Sequence, residues 1–378
     1  MRCEVRTITR EEHLDFVRER PSVSHLQVPA WGDVKEDWRP HSLGWFGPDG
    51  RMAGAGLALL RPVPGIGRSL AYLPEGPVVD WDDDDLAEGR LRPMLDHLKG
   101  LGAFTVRMGP PVVSRRWSAE RVKEAIQDPA AHRLADAEPS TRDERAEAVA
   151  ERLRQAGWRP AGEGGSGGFA LGQPRQVFQL PLAGRSLEQV RNGLNQQWRR
   201  NVKKAEKAGV KVVEGDGEDL GTFHQLYLET AERDGFTPRP LEYFRRMWEA
   251  LRAEDPDRMR LYLASHDGET LAAATMLTVG EHVWYSYGAS TARRREVQPS
   301  NALQWRMISD AHERGAAVYD LRGITDTLRE DDPLLGLLRF KVGTGGEAVE
   351  YLGEWEFPIS RPLHKAFEVY LATRRREG

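Results

Sequence analysis

The sequence predicts an α/β (α+β) protein made of two similar mixed domains in tandem. Three observations support this. The chain has 378 residues, more than one compact core usually serves, and domain-size statistics give about two or three domains. Two stretches repeat one plan of hairpin, strand, helix and strand. A segment rich in Gly and Pro separates them.

The first copy opens with GWFGPDGRMAGAGLALLRPV, Gly44 to Val63, and the second with LYLASHDGETLAAATMLTVG, Leu261 to Gly280. Each is an apolar strand, an Asp-Gly turn (Asp49-Gly50 and Asp267-Gly268) and a second strand, the local signature of a β-hairpin. A third strand containing Tyr and Gly follows in each, LAYLPEGPVV and VWYSYGAS. Next come LRPMLDHLKGLG and ALQWRMISDAHERG, helical patterns that stop at Gly100 or Gly102 and at Gly315, as C-terminal caps do. The strands AFTVRM and AAVYDL close the two copies. The join falls near GEGGSGGFALGQPRQVFQLPL, Gly162 to Leu182, where breakers cluster. The polar stretch from Ser118 to Gly157 predicts surface helices on the first domain, and HKAFEVYLATRRREG a last helix.

Composition narrows the functional classes. Cys3 is the single cysteine, which excludes a disulfide framework or a cysteine zinc site within one chain. The histidines show no HExxH-like spacing, and no metal is expected. No run of about eighteen apolar residues predicts a membrane-spanning helix. The N-terminus lacks the apolar stretch of a signal peptide, so a cytoplasmic location is expected.

Three motif matches fail on context. GGSGG around Ser166 has the nucleophile-elbow pattern, but it lies in a Gly-rich loop rather than between strand and helix. RMAGAG, Arg51 to Gly56, resembles an acyl-CoA phosphate cradle, yet it sits inside a hairpin strand instead of opening a helix. The corresponding junction in the second copy, RRREVQPSNALQW, has no glycine, and Pro299 lacks an N–H. WDDDDL, Trp81 to Leu86, is read as a solvated helix N-terminus rather than a metal trap.

One feature stands apart from the slightly acidic chain, whose formal net charge is -4. Ser186 and Gln189 form a capping box that starts a helical region. Leu194, Trp198, Val202 and Ala205 recur at helical spacing as an inner face, while Arg199, Arg200, Lys203, Lys204 and Lys207 make a positive stripe opposite. Only Glu206 is near enough in sequence to pair with them, and Gly209 ends the helix. Such an unbalanced stripe suits a polyanion: RNA, a pyrophosphate or an anionic membrane surface.

The motifs WRRNVKKAEKAGVKV, ETAERDGFTPRPLEYF, YDLRGITD and LLRFKVGTGGEAVEYLGEWEFPI, with HLQVPAWGDVKEDW and YLPEGPVV in the first half, resemble the Fem family of peptidoglycan bridge-building aminoacyltransferases. The resemblance spans nearly the whole chain. It implies two acetyltransferase-like (GNAT-like) domains: 1–174 completed by a returning segment 345–378, and 175–344 with the basic helix at 187–208. It implies transfer of an amino acid from aminoacyl-tRNA to an amine of a lipid-linked or nucleotide-linked muropeptide, such as lipid II, without a cofactor. Glycine is favoured over alanine or serine on resemblance alone. The stripe Arg199, Arg200, Lys203, Lys204 and Lys207 then becomes a tRNA contact.

By the same resemblance Lys35, Arg239 and Tyr243 bind the precursor's phosphates, joined by a tyrosine of WYSYGAS, either Tyr285, the slight favourite, or Tyr287. Phe340 and Lys341 match the pair tied to transfer. Lys341 is expected on a short strand before glycines, as an electrostatic stabiliser of the oxyanion or of a tRNA phosphate. Where some relatives carry an acidic residue after the VRM strand, this chain has Gly109. Asp320 is a candidate proton acceptor or partner of Arg322, and a structural ion pair is its simpler reading. A monomer, with peripheral contact to the inner membrane leaflet, completes the expectation. The alternatives are the same transfer onto a secondary metabolite, or a non-catalytic RNA-binding module.

Overall fold

The computed structural model describes residues 3–65, 67–161 and 172–377. Its chain divides into two compact units. The first comprises Met1–Arg115, Arg142–Arg175 and Glu350–Gly378, and the second Arg116–Thr141 and Gln176–Val349.

The first unit holds a seven-stranded sheet in the order Glu4–Thr7, Arg39–Phe46, Met52–Val63, Arg68–Leu73, Ala103–Met108, Trp355–Pro358, Arg159–Pro160. The predicted hairpin is present: Arg39–Phe46 pairs antiparallel with Met52–Val63. Arg68–Leu73 pairs antiparallel with the hairpin's second strand and parallel with Ala103–Met108. A parallel pair needs a crossover, and the helix Arg92–Gly100 supplies it. The C-terminal segment does return to this unit, for Trp355–Pro358 lies antiparallel beside Ala103–Met108. Trp45, Leu43, Met94, Val106, Trp158 and Trp355 build its core.

The second unit repeats the arrangement. Met259–His266 and Glu269–Val279 form the hairpin, turning through Asp267 and Gly268 with φ of 49° and 79°, as a two-residue primed turn requires. Then come His282–Ser290, the crossover helix Pro299–Glu313 and the strand Val318–Gly323, again parallel to the third strand. Gln176–Pro181 lies antiparallel beside that strand, where Trp355–Pro358 lies in the first unit. The sheet order is Lys211–Gly215, Met259–His266, Glu269–Val279, His282–Ser290, Val318–Gly323, Gln176–Pro181, Glu347–Tyr351, Val113–Ser118, Thr141–Arg142.

Two expectations change. The helix Ala119–Gln127, expected to decorate the first domain, belongs to the second unit. Trp117, Val122 and Leu134 are fully buried in one core with Phe178, Tyr319 and Leu338, and a branched side chain buried this way contributes about 1.5–3 kcal/mol. The sequence neighbourhood of these residues is polar, so the apolar anchors are outnumbered there. The basic region 187–208 is two helices, Leu187–Gly193 and Gln196–Ala208. Ser186 and Gln189 do form the capping box of the first, and Asn195 breaks the run by accepting Trp198 N–H as the cap of the second.

The failed motifs have structural reasons. Gly54 and Gly56 of RMAGAG lie where a Cβ would press on Val79 at 2.8 Å and Pro77 at 3.0 Å, so they serve strand packing. Within WDDDDL, Asp83 pairs with Arg90 at 2.8 Å, Asp82 with Arg145 at 3.4 Å and Asp84 with Arg152 at 3.5 Å. GGSGG lies outside the described residues. Among the described residues no helix is long and apolar enough to cross a membrane.

Candidate functional site

Lys341 is in a helix, Leu335–Val342, not on a strand as expected. The helical positions Leu335, Leu338 and Val342 recur at i, i+3 and i+7 and are buried, the pattern of one apolar face. That face turns Lys341 inward, leaving it 4% exposed. Its Nζ donates to the Gly323 carbonyl at 2.6 Å and the Arg322 carbonyl at 3.4 Å. Burial lowers the Lys341 ammonium from 10.5 to about 8, Asp320 pulls it back upward and Arg322 lowers it further.

The carbonyls that hold Lys341 come from the end of the strand Val318–Gly323. That strand pairs with His282–Ser290 only from His282/Val318 to Trp284/Asp320. Its register with Gln176–Pro181 also shifts between Asp320 and Gly323. Arg322 occupies the left-handed region at φ 63°, a conformation that side chains other than Gly, Asn and Asp rarely adopt. Asp320 is 2% exposed. Its Oδ1 accepts the Arg322 N–H at 2.6 Å and its Oδ2 accepts Gln179 Nε2 at 3.0 Å. Burial opposes its ionisation, yet His282, Arg322 and Gln179 outweigh that and keep its carboxyl below the usual aspartate range.

Phe340 faces the other way. Its ring lies 4.7 Å from that of Trp198, and its carbonyl accepts Trp198 Nε1 at 2.8 Å. Leu194, Trp198 and Val202 pack there with Phe340 and Trp305. One dipeptide therefore carries the anchor of the basic helix and the buried ammonium. The glycines that follow are a packing requirement. A Cβ on Gly343 would stand 2.3 Å from the Trp198 ring, and one on Gly346 would stand 2.2 Å from the Gln179 carbonyl.

Arg199, Arg200, Lys203, Lys204 and Lys207 are all exposed. None of the five makes an ion pair among the described residues, and Glu206 pairs with Arg191 at 3.2 Å instead. Arg199 Nη1 reaches the Asn192 and Leu194 carbonyls at 2.8 and 2.7 Å, which fixes one end of the stripe to the preceding helix.

Arg239 and Tyr243 come together as expected, the guanidinium 4.7 Å above the phenol ring. The third member is Tyr287, whose hydroxyl lies 3.2 Å from that of Tyr243. Tyr285 is elsewhere: it packs on the core below the sheet, and burial there raises its phenol to about 12. A register shift opposite Thr275 and Met276 separates the two tyrosines; no local pattern announces it. Tyr227 and Phe244 add rings around Tyr287 and Tyr243, and Phe236 packs on Tyr227. Sequence reasoning misses these three, although FxxxY in Phe223–Tyr227 and EYF at 242–244 are legible aromatic spacing. Burial, and then Tyr287, push the Tyr243 phenol well above its usual range.

Lys35 belongs to the first unit, as the C-cap of Trp31–Val34, with Nζ 5.0 Å over the Trp31 ring. Gly109 stands where a Cβ would meet Glu75 N at 3.2 Å. Among the described residues no group of His, Cys, Asp and Glu could hold a metal.

Two hairpin–strand–helix–strand units define a tandem acetyltransferase-like protein, and in one of them a buried helical lysine binds the carbonyls at the end of the fourth strand. The acetyltransferase (GNAT) domain profile matches residues 192–348, and that of the FemAB family matches residues 8–269. The chain belongs to the FemAB family. The Lipid II:glycine glycyltransferase of Staphylococcus aureus (strain USA300) is 24% identical over 435 aligned positions, covering 96% of this chain and 94% of that protein. The crystal structure of FemX superposes with a TM-score of 0.78 at 23% identity, covering 97% of this chain and 100% of that one. A tandem GNAT protein from the clavulanic acid biosynthesis pathway gives 0.54 at 13% identity, covering 95% and 99%.

Proposed function

We propose that this protein is an aminoacyltransferase that moves an amino acid, glycine by preference, from aminoacyl-tRNA to an amine of a lipid-linked or nucleotide-linked peptidoglycan precursor. The observation that supports this most is Lys341, a buried cation held by two carbonyls next to the anchor of a helix whose five exposed cations make no ion pair among the described residues. Membership of the FemAB family and the glycyltransferase among its relatives support the same chemistry.

In the proposed step the acceptor nitrogen attacks the carbonyl carbon of the tRNA ester. A new C–N bond forms, the C–O bond to the ribose breaks, and the amine's proton ends on the released ribose hydroxyl. Negative charge builds on the carbonyl oxygen, and a fixed ammonium in a water-poor site stabilises it. The ester is already activated, so holding the reactants together supplies much of the rest. Arg199, Arg200, Lys203, Lys204 and Lys207 are assigned to tRNA phosphates. Arg239, Tyr243 and Tyr287 are assigned to the acceptor's phosphates, where a guanidinium can donate two parallel N–H bonds. By the family resemblance, Lys35 is likewise assigned to the acceptor's phosphates. Transfer should occur with charged tRNA and a lipid II-type acceptor and should vanish on ribonuclease treatment. Activity that survives ribonuclease, or turnover with acetyl-CoA, overturns this function.

A further inference from the structure

Asp320 is a buried carboxylate that engages several groups at once. Its Oδ1 takes the N–H of Arg322 at 2.6 Å. Its Oδ2 takes Gln179 Nε2 at 3.0 Å and lies 3.5 Å from His282 Nε2. The His282 ring is itself fixed, stacked on Trp284 at 4.1 Å between centroids with 11° between planes. A simple structural ion pair would join two side chains. Here the tightest bond goes to a backbone N–H in a left-handed residue, Arg322 at φ 63°. Such a conformation is unfavourable for an arginine and persists only where neighbours impose it. What it achieves is visible one bond further on: the carbonyls of Arg322 and Gly323 both face Lys341 Nζ.

We propose that Asp320 is a positioning residue for Lys341: it holds the left-handed turn at Arg322 that aims two carbonyls at the ammonium, and its carboxylate supplies the opposing charge that keeps the buried cation in place. Gln179 holds the carboxylate in turn, with His282 beside it. The proposal rests on the reading of Lys341 as the cation of the transfer step.

Among the described residues, these charged groups lie on the elements around Lys341. From the strand Val318–Gly323 come Asp320 and Arg322. The strand His282–Ser290 contributes His282, whose Nε2 lies 3.5 Å from Asp320 Oδ2. The helix Ala119–Gln127, packed on the Lys341 helix, turns Ala119, Val122 and Ala125 inward, while Glu120, Arg121 and Glu124 are exposed and Lys123 is half-buried. On the lysine's own helix Arg339 is exposed. From the strand Glu347–Tyr351, Glu347 is paired with Arg116.

The test uses the full chain with Asp320→Asn, which keeps an oxygen for the Arg322 N–H and removes the charge. The ammonium is followed by ¹⁵N NMR titration of Lys341 Nζ, and transfer by kcat and KM across pH. The Lys341 titration should move to lower pH by about one unit, kcat should fall about twofold at neutral pH and about tenfold near pH 9, and KM for both substrates should stay within about twofold. A second variant, Asp320→Ala combined with Arg322→Gly, restores freedom at the strained residue. It should recover the native Lys341 environment in part and the charge effect not at all. An unmoved titration in folded Asp320→Asn overturns the proposal whatever the substrate. If the wild type transfers no aminoacyl group, the function proposed above fails, and the titration alone still decides the role of Asp320. A raised KM with unchanged kcat places Asp320 in substrate binding and also overturns it.

Discussion

Trp198 Nε1 donates to the Phe340 carbonyl at 2.8 Å, and the two rings lie 4.7 Å apart. The next residue, Lys341, donates in the opposite direction to Gly323. Any force on the basic helix is therefore felt one residue from the buried ammonium. Trp198→Phe keeps the aromatic contact and removes the donor, and should cost about 1 kcal/mol. Trp198→Ala also empties the site beneath the helix and should cost about 3–5 kcal/mol. Urea unfolding measures both. Equal costs would show that the indole N–H, rather than ring packing, holds the helix.

Lys341→Met should lower kcat by about 10²-fold or more, on the scale of removing one oxyanion donor, yet stabilise the fold. The sign follows from linkage. The folded ammonium titrates near 8 instead of 10.5, so between these values the unfolded chain binds more protons and stability rises with pH. Below about 8 the full cost of the buried charge is present. Its removal should add stability on the order of 1–3 kcal/mol at pH 7, and should flatten the rise above pH 8. A variant that is both inactive and less stable would make Lys341 a structural residue.

The same titration sets a pH profile. If the cation is what the transition state needs, kcat should decline as pH rises through about 8. The acceptor amine must be neutral to attack, so the acidic limb belongs to it and the profile is a bell. Lys341→Met should lose the alkaline limb and keep the acidic one. An alkaline limb that persists in this variant assigns it to another group.

Replacing Arg199, Arg200, Lys203, Lys204 and Lys207 by Gln should leave the melting temperature nearly unchanged, since all five are exposed. Binding of tRNA should weaken, and the slope of log affinity against log salt should flatten by about 0.7–0.9 for each phosphate that is no longer neutralised. An unaltered slope returns the stripe to a solvated helix face.

Arg239→Lys keeps the charge but not the two-pronged donor. It should raise KM for the acceptor about tenfold, the scale of one charge-assisted hydrogen bond, with KM for charged tRNA unchanged. Tyr287→Phe should act in the same direction, through the Tyr243 hydroxyl 3.2 Å away, and Tyr285→Phe should not. A defect confined to tRNA places Arg239 on the donor side.

The tandem repeat is legible because it is written in local chemistry. Asp-Gly turns, glycine stops and alternating apolar runs each act within a few residues, so both hairpins and both crossover helices can be placed from the chain alone. The positive stripe and its apolar underside are equally local, since helical periodicity sorts Arg199 from Trp198 without any partner. The Asn195 cap that divides that helix is local too, but a single Asn inside a helical run is easily overlooked. Tertiary structure decided the rest. A one-residue register shift puts Tyr287, and not Tyr285, beside Tyr243, because sheet pairing and not sequence spacing chooses the face. Trp117 and Val122 join the second unit because their partners Phe178 and Leu338 lie far along the chain. The pairing of Asp320 with the Arg322 backbone, and of that backbone with Lys341, exists only once strand and helix are packed. Burial then makes an ordinary lysine titrate near 8, a property that depends on the low-dielectric surroundings of the folded chain.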